Sequence, residues 1–203
     1  MLSVVGIGPG HKDYLLPKAV EVVNSAQVII GGKRALELFP QHTGKKKEIT
    51  GKLNEVVDFI RQNQNQHIAV LVSGDPGFHS LLTFLKKKFP KEEMQVIPGI
   101  SSLQMAYAKL GMPWQDAILL SAHGRDLNEL KNYFQLPELA LLTDPVNNPA
   151  KIARFWLGNG GQDSISYICK NLSYENESIN KTTLSSLLNS ADTTPCVMVI
   201  KNE

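Results

Sequence analysis

Hydrophobic residues in this chain fall into short unbroken runs separated by glycine, proline and serine turns. Residues 68–72 are five apolar side chains in a row, without alternation. Such a run suits a strand covered on both faces, as in a parallel sheet. It stops at Ser73-Gly74-Asp75-Pro76-Gly77, and the amphipathic stretch that follows predicts a helix over 78–89. The same pattern predicts strands at 2–7, 27–30 and 94–97, and helices at 17–25, 33–39, 50–63 and from Ser101 or Ser102 through residue 110. Within 50–63, Leu53, Val56, Val57 and Ile60 recur at helical spacing. Four strand-then-turn units before residue 113 predict a parallel α/β domain.

Gly111-Met112-Pro113 breaks the pattern, so the chain divides into an N-terminal α/β domain, 1–113, and a C-terminal α/β domain, 114–203. The second half reads as richer in strand. Strands are predicted at 117–121, 139–143, 164–170, 178–183 and 196–201, with a helix at 149–157 and a brief helical piece at 184–189. There is no internal repeat and no biased tract that reads as disordered.

Composition narrows the picture only a little. A formal charge of +2 is too small to argue for nucleic acid, and the lysine clusters 45–47 and 86–88 read as solvated loop and helix ends. Cys169 and Cys196 lie in apolar surroundings, which predicts buried, reduced thiols. The N-terminus lacks the apolar core of a signal peptide, and no apolar stretch approaches transmembrane length. The expectation is a soluble, cytoplasmic protein.

Candidate chemistry lies in the turns after the strands, where ligands sit in open α/β sheets. Gly6-Ile7-Gly8-Pro9-Gly10 opens like a dinucleotide fingerprint, but His11 stands where the third glycine belongs. The next strand ends in Gly31-Gly32 rather than in an acidic residue, and Pro9 removes a backbone donor, so a nicotinamide site is disfavoured. Asp75 has two readings, the cap of a helix starting at Phe78 or a ligand contact. Ser101 and Ser102 likewise either cap the following helix or touch a ligand. No metal-ligand spacing joins His11, His42, His67, His79 and His123, and there is no P-loop and no nucleophile elbow. What remains is a cleft of backbone and small side chains, suited to a small organic cofactor.

Gly6–Gly10, Ser73-Gly74-Asp75-Pro76-Gly77-Phe78 and Pro98-Gly99-Ile100-Ser101-Ser102 resemble the tetrapyrrole methylase superfamily. Further segments resemble its cobalamin-pathway branch that methylates C5 of a cobalt-corrin precursor. These are Leu110-Gly111-Met112-Pro113-Trp114-Gln115-Asp116, Ser121-Ala122-His123-Gly124-Arg125-Asp126 and Asn171-Leu172-Ser173-Tyr174-Glu175-Asn176-Glu177. The resemblance covers nearly the whole chain. It departs at His11, often Asp in the family, at Leu16, often Thr, at Lys170, usually Glu, and at Glu175-Asn176, usually Pro-Asp.

The resemblance implies two α/β domains with a cofactor cleft between them, and S-adenosylmethionine as methyl donor without a protein-bound metal. It implies cofactor contacts at Pro9, Gly74, Asp75, Phe78, Ser101, Ser102, Leu142 and Thr143. The catalytic group is left unassigned, because a reduced-tetrapyrrole meso carbon is already nucleophilic. The substrate carries many carboxylates, which makes Arg125, with His123 beside it, the candidate anchor. The bland reading of this segment is that Arg125 is a surface charge and Asp126 caps a helix running through Phe134. The family also implies a homodimer with no nucleic-acid or membrane partner, and the chain is too short to hold a fused C15-methylating, decarboxylating domain, so a separate enzyme is expected for that step. The rival classes are a non-catalytic tetrapyrrole or S-adenosylmethionine binder, a different tetrapyrrole methylase specificity, and a nucleotide-dependent oxidoreductase.

Overall fold

The computed structural model describes residues 1–90 and 93–202, which form two compact units, Met1–Ser102 and Leu103–Glu203. In the first, β1 (Leu2–Gly6), β2 (Val28–Gly31), β3 (Lys45–Glu48), β4 (Ile68–Val72) and β5 (Met94–Ile97) form one sheet in the order β3-β2-β4-β1-β5. All its pairings are parallel. The side-chain period of two sorts the apolar runs onto both faces. Val5, Ile29, Ala69, Leu71 and Ile97 pack with Ala19, Val22 and Val23 of α1 (Pro17–Ser25) and Ala35 of α2 (Lys33–Glu37). Leu2, Val4, Val28, Ile30, Ile68 and Val70 pack with Val56 and Ile60 of α3 (Leu53–Gln62) and with Leu82 and Leu85 of α4 (Leu82–Leu85). The runs lack alternation because both faces are covered.

Two expectations fail here. Residues 45–47 are a strand, not a loop, because their backbone pairs with β2 in register Val28↔Lys45 to Gly31↔Glu48. Their side chains are also placed. Lys46 Nζ donates to Phe39 O at 2.8 Å, Lys45 Nζ to Asn63 Oδ1 at 3.3 Å, and Lys47 Nζ lies 5.9 Å from the Phe59 ring centroid. The helix expected over 78–89 shrinks to α4. His79 has φ +47°, outside the helical region, and the Ser80 hydroxyl turns back to Pro76 O while accepting from Leu82 N at 3.1 Å.

α5 (Ser102–Leu110) starts on the last residue of the first unit, and its remainder opens the second. The sheet of the second unit, in the order β6-β7-β10-β8-β9, is built from β6 (Ile118–Ser121), β7 (Glu138–Leu142), β8 (Ile165–Lys170), β9 (Ser178–Thr183) and β10 (Cys196–Lys201). β6 and β7 are parallel, and β10 runs antiparallel to both β7 and β8. β6, β7 and β8 therefore share a direction, and the loops that follow them share one edge. Leu139, Leu141, Ile168, Met198 and Ile200 pack against Ile152 and Trp156 of α6 (Pro149–Gly158) and Leu184 of α7 (Leu184–Leu187). The segment expected as a helix through Phe134 is a 3-10 helix, Leu127–Tyr133, capped by Asp126, whose Oδ1 accepts from Asn128 N at 3.0 Å.

Both cysteines are buried free thiols, and burial pushes Cys169 up to about 12 and Cys196 up to about 11. Among the described residues, no helix is long and apolar enough to cross a membrane.

Candidate functional site

β1, β4 and β5 end side by side, and the turns after them interlock. Gly74 N donates to Gly8 O at 2.8 Å, and Gly8 N donates to Gly74 O at 3.3 Å, tying the first turn to the second. Both glycines take positive φ, +71° at Gly8 and +69° at Gly74, which disfavours any side chain. A Cβ on Gly99 would stand 2.3 Å from Gly74 O, and one on Gly6 would stand 2.7 Å from Gly99 N. The three turns therefore touch through bare backbone. At Gly74 itself a Cβ would meet Ser101 Cα at an ordinary 3.5 Å, so backbone strain rather than crowding constrains that position.

Asp75 is not a helix cap, since no helix begins at Phe78. Its Oδ1 accepts from Gly77 N at 2.7 Å and its Oδ2 from Gly99 N at 3.0 Å, so one carboxylate joins the turn after β4 to the turn after β5. Phe78 closes the turn, N to Asp75 O at 3.3 Å, and packs edge-on to His79 with centroids 4.5 Å apart. Pro9 is buried, while Ser101 and Ser102 are half-buried at the entrance to α5. His11 caps the 3-10 turn Lys12–Tyr14, its Nδ1 accepting from Asp13 N at 3.3 Å. The structure thus gathers Pro9, Gly74, Asp75, Phe78, Ser101 and Ser102 at one edge of the first sheet. Gly6 and Gly99, which the sequence reading did not single out, are the positions where those turns press closest.

Leu142, Thr143, His123 and Arg125 belong to the second unit, at the carboxyl ends of β6 and β7. Leu142 O accepts from Ala122 N at 2.8 Å. The Thr143 hydroxyl is occupied within the sheet, donating to Cys196 O at 3.1 Å and accepting from Cys196 N at 2.9 Å. His123 and Arg125 are exposed on a turn closed by Arg125 N to Ala122 O at 3.2 Å, with Gly124 at φ +62°.

Beneath that turn lie Asp144 and Asn147, both buried. Asp144 Oδ2 accepts from Gly124 N at 2.7 Å, and its Oδ1 accepts from Val146 N at 2.7 Å and Asn147 N at 2.6 Å. Neither residue was a candidate from sequence, although Asp-Pro directly after a strand is a turn signal. The loop Asn171–Glu177 follows β8 on the same edge, with Asn171 and Ser173 at φ +49° and +74°. Glu177 holds it, accepting from Ser173 N at 2.7 Å and pairing with Lys109 at 2.8 Å.

Burial raises the Asp144 carboxyl, but the N–H bonds from Asn147, Gly124 and Val146 and the nearby His123 more than reverse this and leave it below its ordinary value. A depressed pKa gives stability that is present above the unfolded value, about 3.9, and is lost as pH falls through the folded one. Asp144→Asn is expected to cost about 1.5–3 kcal/mol at neutral pH. In urea titrations the gap to the unsubstituted protein should narrow below about pH 4, where the unfolded state takes up the proton before the folded state does. A gap that stays constant down to acid pH means the carboxylate charge contributes nothing.

Comparison with known proteins adds to this geometry. Residues 1–188 match the family model described as Tetrapyrrole (Corrin/Porphyrin) Methylases. The chain is 39% identical over 196 residues to a probable cobalt-precorrin-7 C(5)-methyltransferase of Methanocaldococcus jannaschii, covering 93% of this chain and 92% of that one. It is 35% identical over 182 residues to the cobalt-precorrin-7 C(5)-methyltransferase of Salmonella typhimurium, covering 89% of each. A crystal structure of a precorrin-6Y methylase from Archaeoglobus fulgidus has the same fold, with TM-score 0.78 at 24% identity over 100% of this chain and 98% of that one.

Proposed function

The chain belongs to the tetrapyrrole methylases, and on that premise we propose that it is an S-adenosylmethionine-dependent methyltransferase acting on C5 of a cobalt-corrin precursor, cobalt-precorrin-7. The observation that carries this reading is sequence identity running nearly the length of both chains to proteins that bear this activity in their names.

The edge of the first sheet suits the cofactor chemically. Its three turns offer backbone amides and carbonyls, small hydroxyls at Ser101 and Ser102, and glycines that leave the backbone accessible. Pro9, Gly74, Phe78, Ser101 and Ser102 would hold the cofactor by shape and backbone polarity. Asp75 spends both carboxylate oxygens on Gly77 and Gly99, so its part is to set the distance between two of those turns. Leu142 and Thr143 enter this reading from the resemblance alone, since the Thr143 hydroxyl and N–H are engaged with Cys196 and Leu142 O accepts from Ala122 N. Bound S-adenosylmethionine supplies an electrophilic methyl group on a sulfonium.

The residues of the chain then have a positioning task. A reduced-tetrapyrrole meso carbon is enamine-like, so no strong base is needed to generate the nucleophile. Orientation of the two reactants can supply roughly 7–11 kcal/mol of barrier reduction. Arg125, exposed at the carboxyl end of β6, pairs with a substrate carboxylate, and His123 lies beside it. The same reading makes the protein a cytoplasmic homodimer with no nucleic-acid or membrane partner.

Titration calorimetry with S-adenosylmethionine and S-adenosylhomocysteine is expected to give micromolar dissociation constants, on the order of −8 kcal/mol. Incubation with cobalt-precorrin-7 and a donor carrying a labelled methyl should place the label on C5. Absence of binding of either compound at millimolar concentration removes the methyltransferase reading. Label on another ring position keeps the chemistry and changes the substrate assignment.

A further inference from the structure

The turn that carries Arg125 is held from below at each of its corners. Asn147 Nδ2 donates to Ala122 O at 2.7 Å and to Arg125 O at 2.8 Å, so a single amide grips the residue before the tip and the residue after it. Asp144 Oδ2 accepts from Gly124 N at 2.7 Å, at the tip itself. The two gripping residues are joined, because Asn147 N donates to Asp144 Oδ1 at 2.6 Å. Asp144 is 5% exposed and Asn147 4%, whereas His123, Gly124 and Arg125 are exposed.

Burying a carboxylate and an amide is costly unless their polar atoms are satisfied. The hydrogen bonds of these two side chains run to backbone, most of them crossing from the loop after β7 to the loop after β6, and Asp144 Oδ2 also lies 3.7 Å from His123 Nδ1. A solvated turn needs no such support for its own sake, since water satisfies exposed amides. The arrangement instead fixes the carbonyl of Arg125, and with it the root of the longest cationic side chain on this turn. A long side chain that starts from a fixed root loses less freedom when its guanidinium is captured by a carboxylate.

We propose that Asn147, with Asp144, is a positioning residue that presents Arg125 to an anionic group of the substrate. This rests on the reading of Arg125 as the substrate anchor.

A double-mutant cycle on the full-length protein tests it, with cobalt-precorrin-7 varied at saturating S-adenosylmethionine. Asn147→Ala is expected to raise KM for the tetrapyrrole roughly tenfold with a much smaller change in kcat, and to leave S-adenosylmethionine affinity intact. In an Arg125→Ala background the same substitution should add nothing, because the clamp acts through Arg125. Amide hydrogen exchange at residues 123–125 should accelerate in Asn147→Ala. Where the alanine variant fails to fold, Asn147→Ser keeps one donor and should give an intermediate KM. If Arg125→Ala raises KM while Asn147→Ala or Asn147→Ser does not, or if the two effects simply multiply, the positioning role is overturned alone. If Arg125→Ala leaves KM unchanged, the anchor reading fails and the positioning role falls with it.

Discussion

Gly99→Ala is expected to lower stability by about 2.5–6 kcal/mol and to weaken S-adenosylmethionine binding at least tenfold, adding an overpacking term of about 1–3 to the loss of a charge-assisted hydrogen bond of about 1.5–3. The methyl would stand 2.3 Å from Gly74 O, 2.8 Å from Gly6 C and 2.9 Å from Gly6 Cα. All three are backbone atoms, so no side chain can rotate out of the way. The turns after β1, β4 and β5 must part, and the bond from Gly99 N to Asp75 Oδ2 is the first to be lost. Urea denaturation reads the stability term and titration calorimetry the affinity term. Gly158→Ala is the matched control, because a methyl there meets nothing within 4 Å and replaces a glycine at the end of α6. That change should be neutral or stabilising by up to about 1 kcal/mol. A folded Gly99→Ala protein of unchanged stability means that the turns are not locked together.

Arg125→Ala should lower kcat/KM for the tetrapyrrole by roughly ten- to a hundredfold, the scale of one charge-assisted hydrogen bond. The donor's affinity should hardly change, because the anchor serves the other ligand. Arg125→Lys should restore part of the loss, since an ammonium cannot make the two-pronged contact of a guanidinium with a carboxylate. Steady-state kinetics with each ligand varied in turn separates these outcomes. Intact tetrapyrrole kinetics in Arg125→Ala, or a defect confined to the donor, removes this loop as the anchor.

Much of the fold was legible where burial dictates sequence. The strands 68–72, 94–97, 178–183 and 196–201 and the helix 17–25 fall where the apolar pattern puts them. β3 was not legible, because three lysines in a row carry no hydrophobic signal and their strand exists through pairing with β2. The stretch 78–89 has helical periodicity, yet the turn through Pro76 and His79 occupies its first part, and that turn's geometry is decided by contacts outside the window. The glycine turns were visible as turns. What they bind to was not, because Asp75 finds Gly99 at a separation of 24 residues and Asn147 finds Ala122 at 25. Side chains that serve distant backbone leave no local trace.

The lysines of β3 have a consequence for the protein at high concentration. This strand is the last in its sheet, so one row of its backbone amides and carbonyls faces outward, and such a row is a template for β-pairing between molecules. Side chains at Lys45, Lys46 and Glu48 are exposed along it. Cations so placed would confront their own copies on an approaching identical edge, and the repulsion, together with the desolvation of the ammonium groups, opposes intermolecular strand addition. The segment that carries the weakest folding signal in this half of the chain is thereby its guard against aggregation.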